Sequence, residues 1–275
     1  MTFIIYHVIL SSCQEAHELL SKVVLMELIG TYPIIFVDIY RISCYLVAMP
    51  RSSRIVIEGC AHHVTQRGNN REDVFFVDDD RRVFLMLLAD ASERYNLVVD
   101  GYCLMTNHVH LVVTPKHQAS LASTLKRTNQ LYAQYVNRLH GRSGHLWQDR
   151  FFSSPLDELH RWRALVYIER NPVRARLCRR AWRWQWSSAA GHCGLLDSSE
   201  LLDLSGWRKQ MDVTRWKDLL IRAEDEQQTA RLRLCTSRGR PLGSDKFVAK
   251  LETLFGRRLR PLPRGRPAKN GVRPY

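Results

Sequence analysis

The stretch LMTNHVHLVVTPK, residues 104–116, sets two imidazoles one residue apart at the head of an apolar run. Alternate side chains of an extended strand share a face, so His108 and His110 project together. Two neutral imidazoles on one face are a partial ligand set for a divalent cation. The bland alternative is a pair of half-exposed polar residues at a strand end. A second stretch, HRWRALVYIERNP, residues 160–172, adds a nucleophile. Helical spacing puts Tyr167 on the face of His160, Arg163, Arg170 and Asn171, while Trp162, Leu165, Val166 and Ile168 are free to pack elsewhere. A tyrosine among cations and an amide suits a phenol that serves a phosphate. Asn171, one turn further on, can bring a carbonyl oxygen to the same place, and Pro172 stops the helix there.

These residues need elements to hold them. From Ile55 onward the text alternates strands and helices. GCAHHVTQRGNN, residues 59–70, reads as a strand running into a Gly/Asn turn. Asp78, Asp79 and Asp80 suit a helix start, after which Val83, Phe84, Leu87, Leu88, Ala91 and Tyr95 recur at helical spacing. LVVDGYCLM and HVHLVVT form a hairpin about Thr106 and Asn107, and Pro115 ends its second strand. A helix over 119–140 buries Leu121, Leu125, Tyr132, Tyr135, Val136 and Leu139 and stops at Gly141. LWQDRFFSSPLD, residues 146–157, is a strand bent at Pro155, and a helix over 158–170 follows. The order β, α, β, β, α, β, α predicts an α+β fold: a ferredoxin-like or RRM-like antiparallel sheet with helices on one face. Residues 1–48 read as a non-essential extension, with a plausible chain start at Met49. Residues 193–275 read as a basic, partly flexible region with one short helix between Ser244 and Gly256.

Charge bounds the partner. Of 275 residues, 41 are Lys or Arg and 27 Asp or Glu, a net charge of +14. Residues 1–48 carry −2 of this, so +16 falls on the remainder. Such a surplus favours an anionic partner, most often nucleic acid; a basic surface kept for solubility is the alternative. Cysteines stand at 13, 44, 60, 103, 178, 193 and 235 with no C-x-x-C pair, which disfavours a zinc ribbon or redox motif and suits reduced thiols in a cytosol. The apolar text of residues 1–48 is broken by Glu27, Pro33, Asp38 and Arg41, short of the roughly 20 apolar residues of a membrane span.

The ordered set HHVTQRGNN, LMTNHVHLVVTP, LWQDRFFSS, YIERNPVRA and WSSAAGH, spread over about residues 49–192, resembles the REP-associated tyrosine transposases, which are single-tyrosine HUH transposases. Thr106 stands where that family often has Pro, and Arg170 where Leu is usual; neither change removes a functional group. The resemblance implies a palm with His-x-His on a central strand and the tyrosine on a flanking helix. It implies that His108 and His110 hold Mg²⁺ or Mn²⁺, that Asn171 completes the site, and that Tyr167 is the nucleophile. The implied substrate is single-stranded DNA beside an imperfect hairpin, cleaved through a 5′-phosphotyrosine without a nucleotide cofactor. The chain has no G-x-x-x-x-G-K-[ST] loop to hold one. The chemistry is coherent: a cation can polarise and orient the phosphate, and Arg163 and Arg170 favour an ionised phenol.

A single strand needs a cationic track and stacking surfaces. Candidates are Arg67, Asn69 and Arg71, then Lys126 and Arg127, then Arg142 and Arg150 beside Trp147. Trp182, Trp184 and Trp186 read as packing, with Arg179, Arg180 and Arg183 left to flank a nucleic acid. R-G-R-P occurs twice, with Arg238 and Arg240 and again with Arg264 and Arg266, and resembles AT-hook cores that lie in a narrow minor groove. The second copy suits that role better, since the first runs into a helix. His62 and His63 face opposite ways, so at most one can approach the cation, and a core or phosphate contact is the simpler expectation. Two rival functions stand beside strand transfer: a non-catalytic nucleic-acid binder, and a metal hydrolase using water. The oligomeric state is open, a homodimer included.

Overall fold

The computed structural model describes residues 54–196 and 199–261. The expectations for residues 1–48 and for Arg264 and Arg266 lie outside them. Four strands form one antiparallel sheet: β1 (His62–Arg67), β2 (Leu97–Leu104), β3 (His108–Pro115) and β4 (Phe152–Pro155), in the order β2-β3-β1-β4. Helix α1 (Asp78–Arg94) connects β1 to β2, and α2 (Ser120–Leu139) connects β3 to β4. This is the predicted α+β fold, with the βαββαβ path of a ferredoxin-like sheet.

The pleat sorts the residues. Val64, Val99, Val109, Leu111 and Val113 face one way, onto Phe84 and Leu88 of α1 and Leu121, Leu125, Tyr132 and Val136 of α2. Three buried aspects fix this layer: the Tyr132 hydroxyl donates to the Val74 carbonyl at 2.6 Å, and Asp80 accepts from the Phe76 and Val77 amides at 2.7 and 3.0 Å, so α1 starts where its aspartates predicted.

The other face is covered too, which goes beyond helices on one face. Helix α3 (Glu158–Glu169) lies across β2, β3 and β1, and a short α4 (Asn171–Arg174) continues from it. Ala164, Leu165 and Ile168 of α3 pack on Cys103 and Val112 of the sheet. The approach is close at Gly101, where a Cβ would stand 2.5 Å from Leu165 Cδ2 and 3.0 Å from Ser188 Oγ.

Past residue 188 come α5 (Ala189–His192), α6 (Leu204–Gln210), α7 (Val213–Ile221), α8 (Glu226–Ser237) and α9 (Asp245–Phe255). The region expected to be partly flexible is mostly helical over the described residues 199–261, and α8 lies against β4 and β1. The predicted α9 starts at Ser244, whose side chain accepts from the Phe247 amide, and ends at Gly256 with φ 59°. Glu169, fully buried at the end of α3, ties these helices down: Oε1 accepts from Ser188 Oγ and His192 Nδ1, both at 2.5 Å, and Oε2 from Trp216 Nε1 at 2.9 Å. The three tryptophans expected to pack do so. Trp186 is buried, Trp184 donates to the Leu104 carbonyl at 3.0 Å, and Trp182 lies on the second core, although the backbone there is a 3₁₀ turn at Ala181–Arg183 rather than a strand.

The first R-G-R-P segment departs from the AT-hook reading. Arg238 caps α8, Gly239 turns with φ 62°, the Arg240 carbonyl accepts from Ser154 Oγ at 2.6 Å, and Pro241 is buried. Leu242 then exchanges backbone bonds with Pro155 and Asp157. A segment that turns and pairs with β4 cannot lie extended in a groove.

Candidate functional site

The register assembles the site before any side chain is considered. In the β1–β3 ladder Thr65 pairs with His110, Arg67 with His108 and His63 with Val112. Cross-strand partners share a face, so His63, Thr65, Arg67, His108 and His110 all point at α3 and α8, away from α1 and α2.

Tyr167 projects from α3 into this cluster. Its ring meets those of His110 and His63 edge-on, each with centroids 5.6 Å apart, and it is 7% exposed. His108 and His110 lie 4.9 Å apart, and His63 stacks on His110 at 5.3 Å. The tyrosine and the imidazole pair, 57 residues apart at their nearest members, therefore come together as the spacing arguments require.

Hydrogen bonds set the free atoms. Asn107 Nδ2 donates to the Arg71 carbonyl at 2.9 Å, which leaves Oδ1 to accept from His108 Nδ1 at 2.6 Å. His108 therefore presents a lone pair at Nε2. His110 Nδ1 lies 3.1 Å from His63 Nε2, and His63 Nδ1 lies 2.7 Å from Thr236 Oγ1 of α8. With the proton on Nδ1, His110 likewise presents Nε2. Burial lowers all three imidazoles: His63 to about 3, His108 to about 4 with help from Arg67, and His110 well below its ordinary value, with His108, His63 and Arg174 adding to burial. Neutral imidazoles with a fixed outer partner are the state in which histidine ligates a metal. Among the described residues, however, no group of three or more His, Cys, Asp or Glu is gathered as a metal site.

Asn171 is buried one turn from Tyr167, but its oxygen is taken by Arg174 and its Nδ2 has no partner. Its oxygen is thus shared with Arg174 rather than free. Arg174 also binds Glu224 at 2.9 Å through Nε, and its guanidinium lies 4.5 Å from the Tyr167 ring centre. Arg170 Nε lies 3.2 Å from Glu224, so that carboxylate offsets the charge expected beside the tyrosine. Arg233 of α8 donates from Nε to the Tyr167 oxygen at 3.1 Å.

The predicted DNA contacts divide by place. Arg67 flanks His108 and is exposed; Asn69 and Arg71 form the adjoining turn, with Arg71 at φ 64°. Arg163 and Arg170 line a cavity of about 540 Å³ beside Tyr167, together with Arg215, Arg222 and Arg231. Arg150 is exposed past the Trp147 loop, and Arg142 pairs with Glu72 at 2.9 Å. Lys126 and Arg127 sit on α2, across the sheet from the histidines, where Arg127 lies 3.4 Å from Asp90. Arg238 is exposed and Arg240 half-buried in the turn already described.

Three contributors were not anticipated, and His63, weighed only as one of two neighbours of which at most one could approach the cation, is singled out by strand alternation, which puts it on the face of Thr65 and Arg67. Asn107 stood in the quoted motif but was read as turn. Arg233 and Thr236 carried no signal, because only the tertiary path brings α8 to β1.

Residues 56–171 match the family described as IS200-like transposases. No curated protein matches the chain. Among solved structures, a REP-associated tyrosine transposase bound to a REP hairpin is 15% identical, covers 60% of this chain and 93% of its own, and gives a TM-score of 0.46. A transposase candidate from Deinococcus radiodurans R1 is 20% identical over 44% of this chain and 96% of its own, with a TM-score of 0.32. It is the family match that carries the comparison: residues 56–171 are similar to the IS200-like transposases.

Proposed function

We propose that this protein cleaves single-stranded DNA beside hairpin-forming repeats and transfers the strand through a 5′-phosphotyrosine on Tyr167. The observation that carries the reading is the Tyr167 ring set edge-on to His110 at 5.6 Å, on the face where His108 and His110 present their Nε2 atoms. His108 and His110 would hold Mg²⁺ or Mn²⁺, with the amide oxygen of Asn171, now shared with Arg174, completing the site. When bound, that ion supplies charge relief on the non-bridging phosphate oxygens. The chain itself does the rest. Arg67 and the arginines around the cavity draw in the backbone, and the shell around Tyr167 positions the phenol and limits competing attack by water. Tyr167 bonds to phosphorus as the 3′-oxygen leaves, and a second 3′-hydroxyl reverses the step. The bond energy stays in the phosphodiester, so no nucleotide is needed.

The test is incubation of labelled, hairpin-flanked single strands with the full chain and Mn²⁺, followed by a denaturing gel. A covalent protein–DNA band is expected, lost in Tyr167→Phe and on chelation. A non-catalytic binder would give no band and keep its affinity under both treatments. A hydrolase using water would release cleaved ends with no adduct.

A further inference from the structure

We propose that Arg233 of α8 is a catalytic residue of this reaction: its Nε–H holds the Tyr167 oxygen, aims it at phosphorus and stabilises the negative charge that gathers on it as the phenol proton departs. The assignment rests on Tyr167 being the nucleophile. Among the described residues Arg233 is the one side chain that donates to that oxygen, at 3.1 Å. Of the other nearby cations, Arg174 lies over the ring face and spends its donors on Glu224, Asn171 and the Tyr167 carbonyl, and Arg170 lies 3.2 Å from Glu224. A guanidinium carries no acceptor and keeps its proton, so its bond to the phenol oxygen has one direction and strengthens as charge develops there.

The helix behind it is placed to do this. Leu232 and Thr236 are buried, which seats α8, and Thr236 Oγ1 reaches His63 Nδ1 at 2.7 Å. Residues 233 and 236, less than one turn apart, thus touch the nucleophile and, through His63, the imidazole of His110. Arg233 and Thr236 themselves lie beyond residues 56–171, where the family match ends. In the step itself the bond from Tyr167 oxygen to phosphorus forms while the bond from phosphorus to the 3′-oxygen breaks. The phenol proton passes to solvent, the 3′-oxygen takes a proton from water, and Arg233 stays protonated throughout.

Arg233 lies on the exposed side of α8, so truncation leaves the core intact. The experiment measures single-turnover adduct formation on hairpin-flanked single strands with Mn²⁺, at saturating DNA, for the full chain and for Arg233→Ala and Arg233→Lys. Arg233→Ala is expected to slow the step by about 10²–10³-fold, as loss of one charge-stabilising donor does elsewhere, with the DNA dissociation constant unchanged. Added guanidinium ion should restore part of the rate to Arg233→Ala and none to Tyr167→Phe, and Arg233→Lys should retain an intermediate rate. A wild-type rate in Arg233→Ala, or a loss that guanidinium does not repair and that follows a matching loss of DNA affinity, would overturn the assignment while leaving strand transfer standing. If the unaltered chain forms no adduct, the strand-transfer reading fails first and Arg233 falls with it.

Discussion

The Asn107 amide assigns the tautomer of its neighbour His108. Its Nδ2 is committed to the Arg71 carbonyl, so the atom facing His108 must be an acceptor and the imidazole must carry its proton on Nδ1. Asn107→Ala frees that ring to change tautomer and turn, and Mn²⁺ affinity measured by calorimetry should fall about 10–100-fold while the fold stays intact. His62 shows the opposite use of the same side chain. Its Nδ1 donates to the Cys60 carbonyl at 2.8 Å and its Nε2 accepts from the Ile57 amide at 3.3 Å, so protonation would break a bond inside the core. Burial lowers its pKa to about 4. Below about pH 6.5 the unfolded chain therefore binds more protons than the folded one, and stability falls as pH drops from 6.5 toward 4. Urea midpoints at pH 7.5, 6 and 5 should decline in that order, with His62 contributing on the order of 3 kcal/mol across the window; a flat series would remove this account. At this scale the sequence was readable where one element held the whole pattern, as with His108 and His110 on a strand or Tyr167 among its helical neighbours. It reached less far at Asn171, where spacing brought the amide to the right turn but could not reveal that Arg174, three residues on, also binds the oxygen.

Elements were legible in proportion to their periodicity. The palm strands and helices α1, α2 and α3 carry repeated apolar positions and were placed from them. Helix α8 buries only Leu232 and Thr236 along its length, so its apolar stripe is too thin to announce itself, although Asp203, Asp212 and Asp225 cap α6, α7 and α8 by accepting amide protons and were in plain view. The tertiary bonds that seat α3 were invisible for a different reason: Ser188, His192 and Trp216 stand 19, 23 and 47 residues from Glu169 and are ordinary in type. Glu169→Ala would strand two N–H groups and a hydroxyl in a sealed interior, at about 1–3 kcal/mol each. A loss of at least about 3 kcal/mol should follow, read as a drop of about 6–12 °C in thermal midpoint. Glu169→Gln should recover part of it, since one amide oxygen still accepts.

Across the whole molecule the surplus of positive charge lies on more than one surface. The sheet face with the histidines gathers Arg67 and the cavity arginines, while Lys126 and Arg127 lie behind the sheet. Because residues 238–243 are woven into β4, a deletion begun at 238 would test folding rather than DNA contact. Removing residues 262–275 instead deletes Arg264, Arg266, Lys269 and Arg273. If each meets a phosphate of a single strand, the slope of log K against log salt should become shallower by about 3; an unchanged slope would dismiss a contribution from that tail. The buried carboxylate at the end of α3 bears on a larger question, which partner travels during exchange. If strands are exchanged as proposed, swinging the tyrosine helix from one strand end to another would tear Glu169 from all three of its donors at once. For the proposed reaction, the economical itinerary would keep the phenol at home and let the nucleic acid swap its ends in front of it.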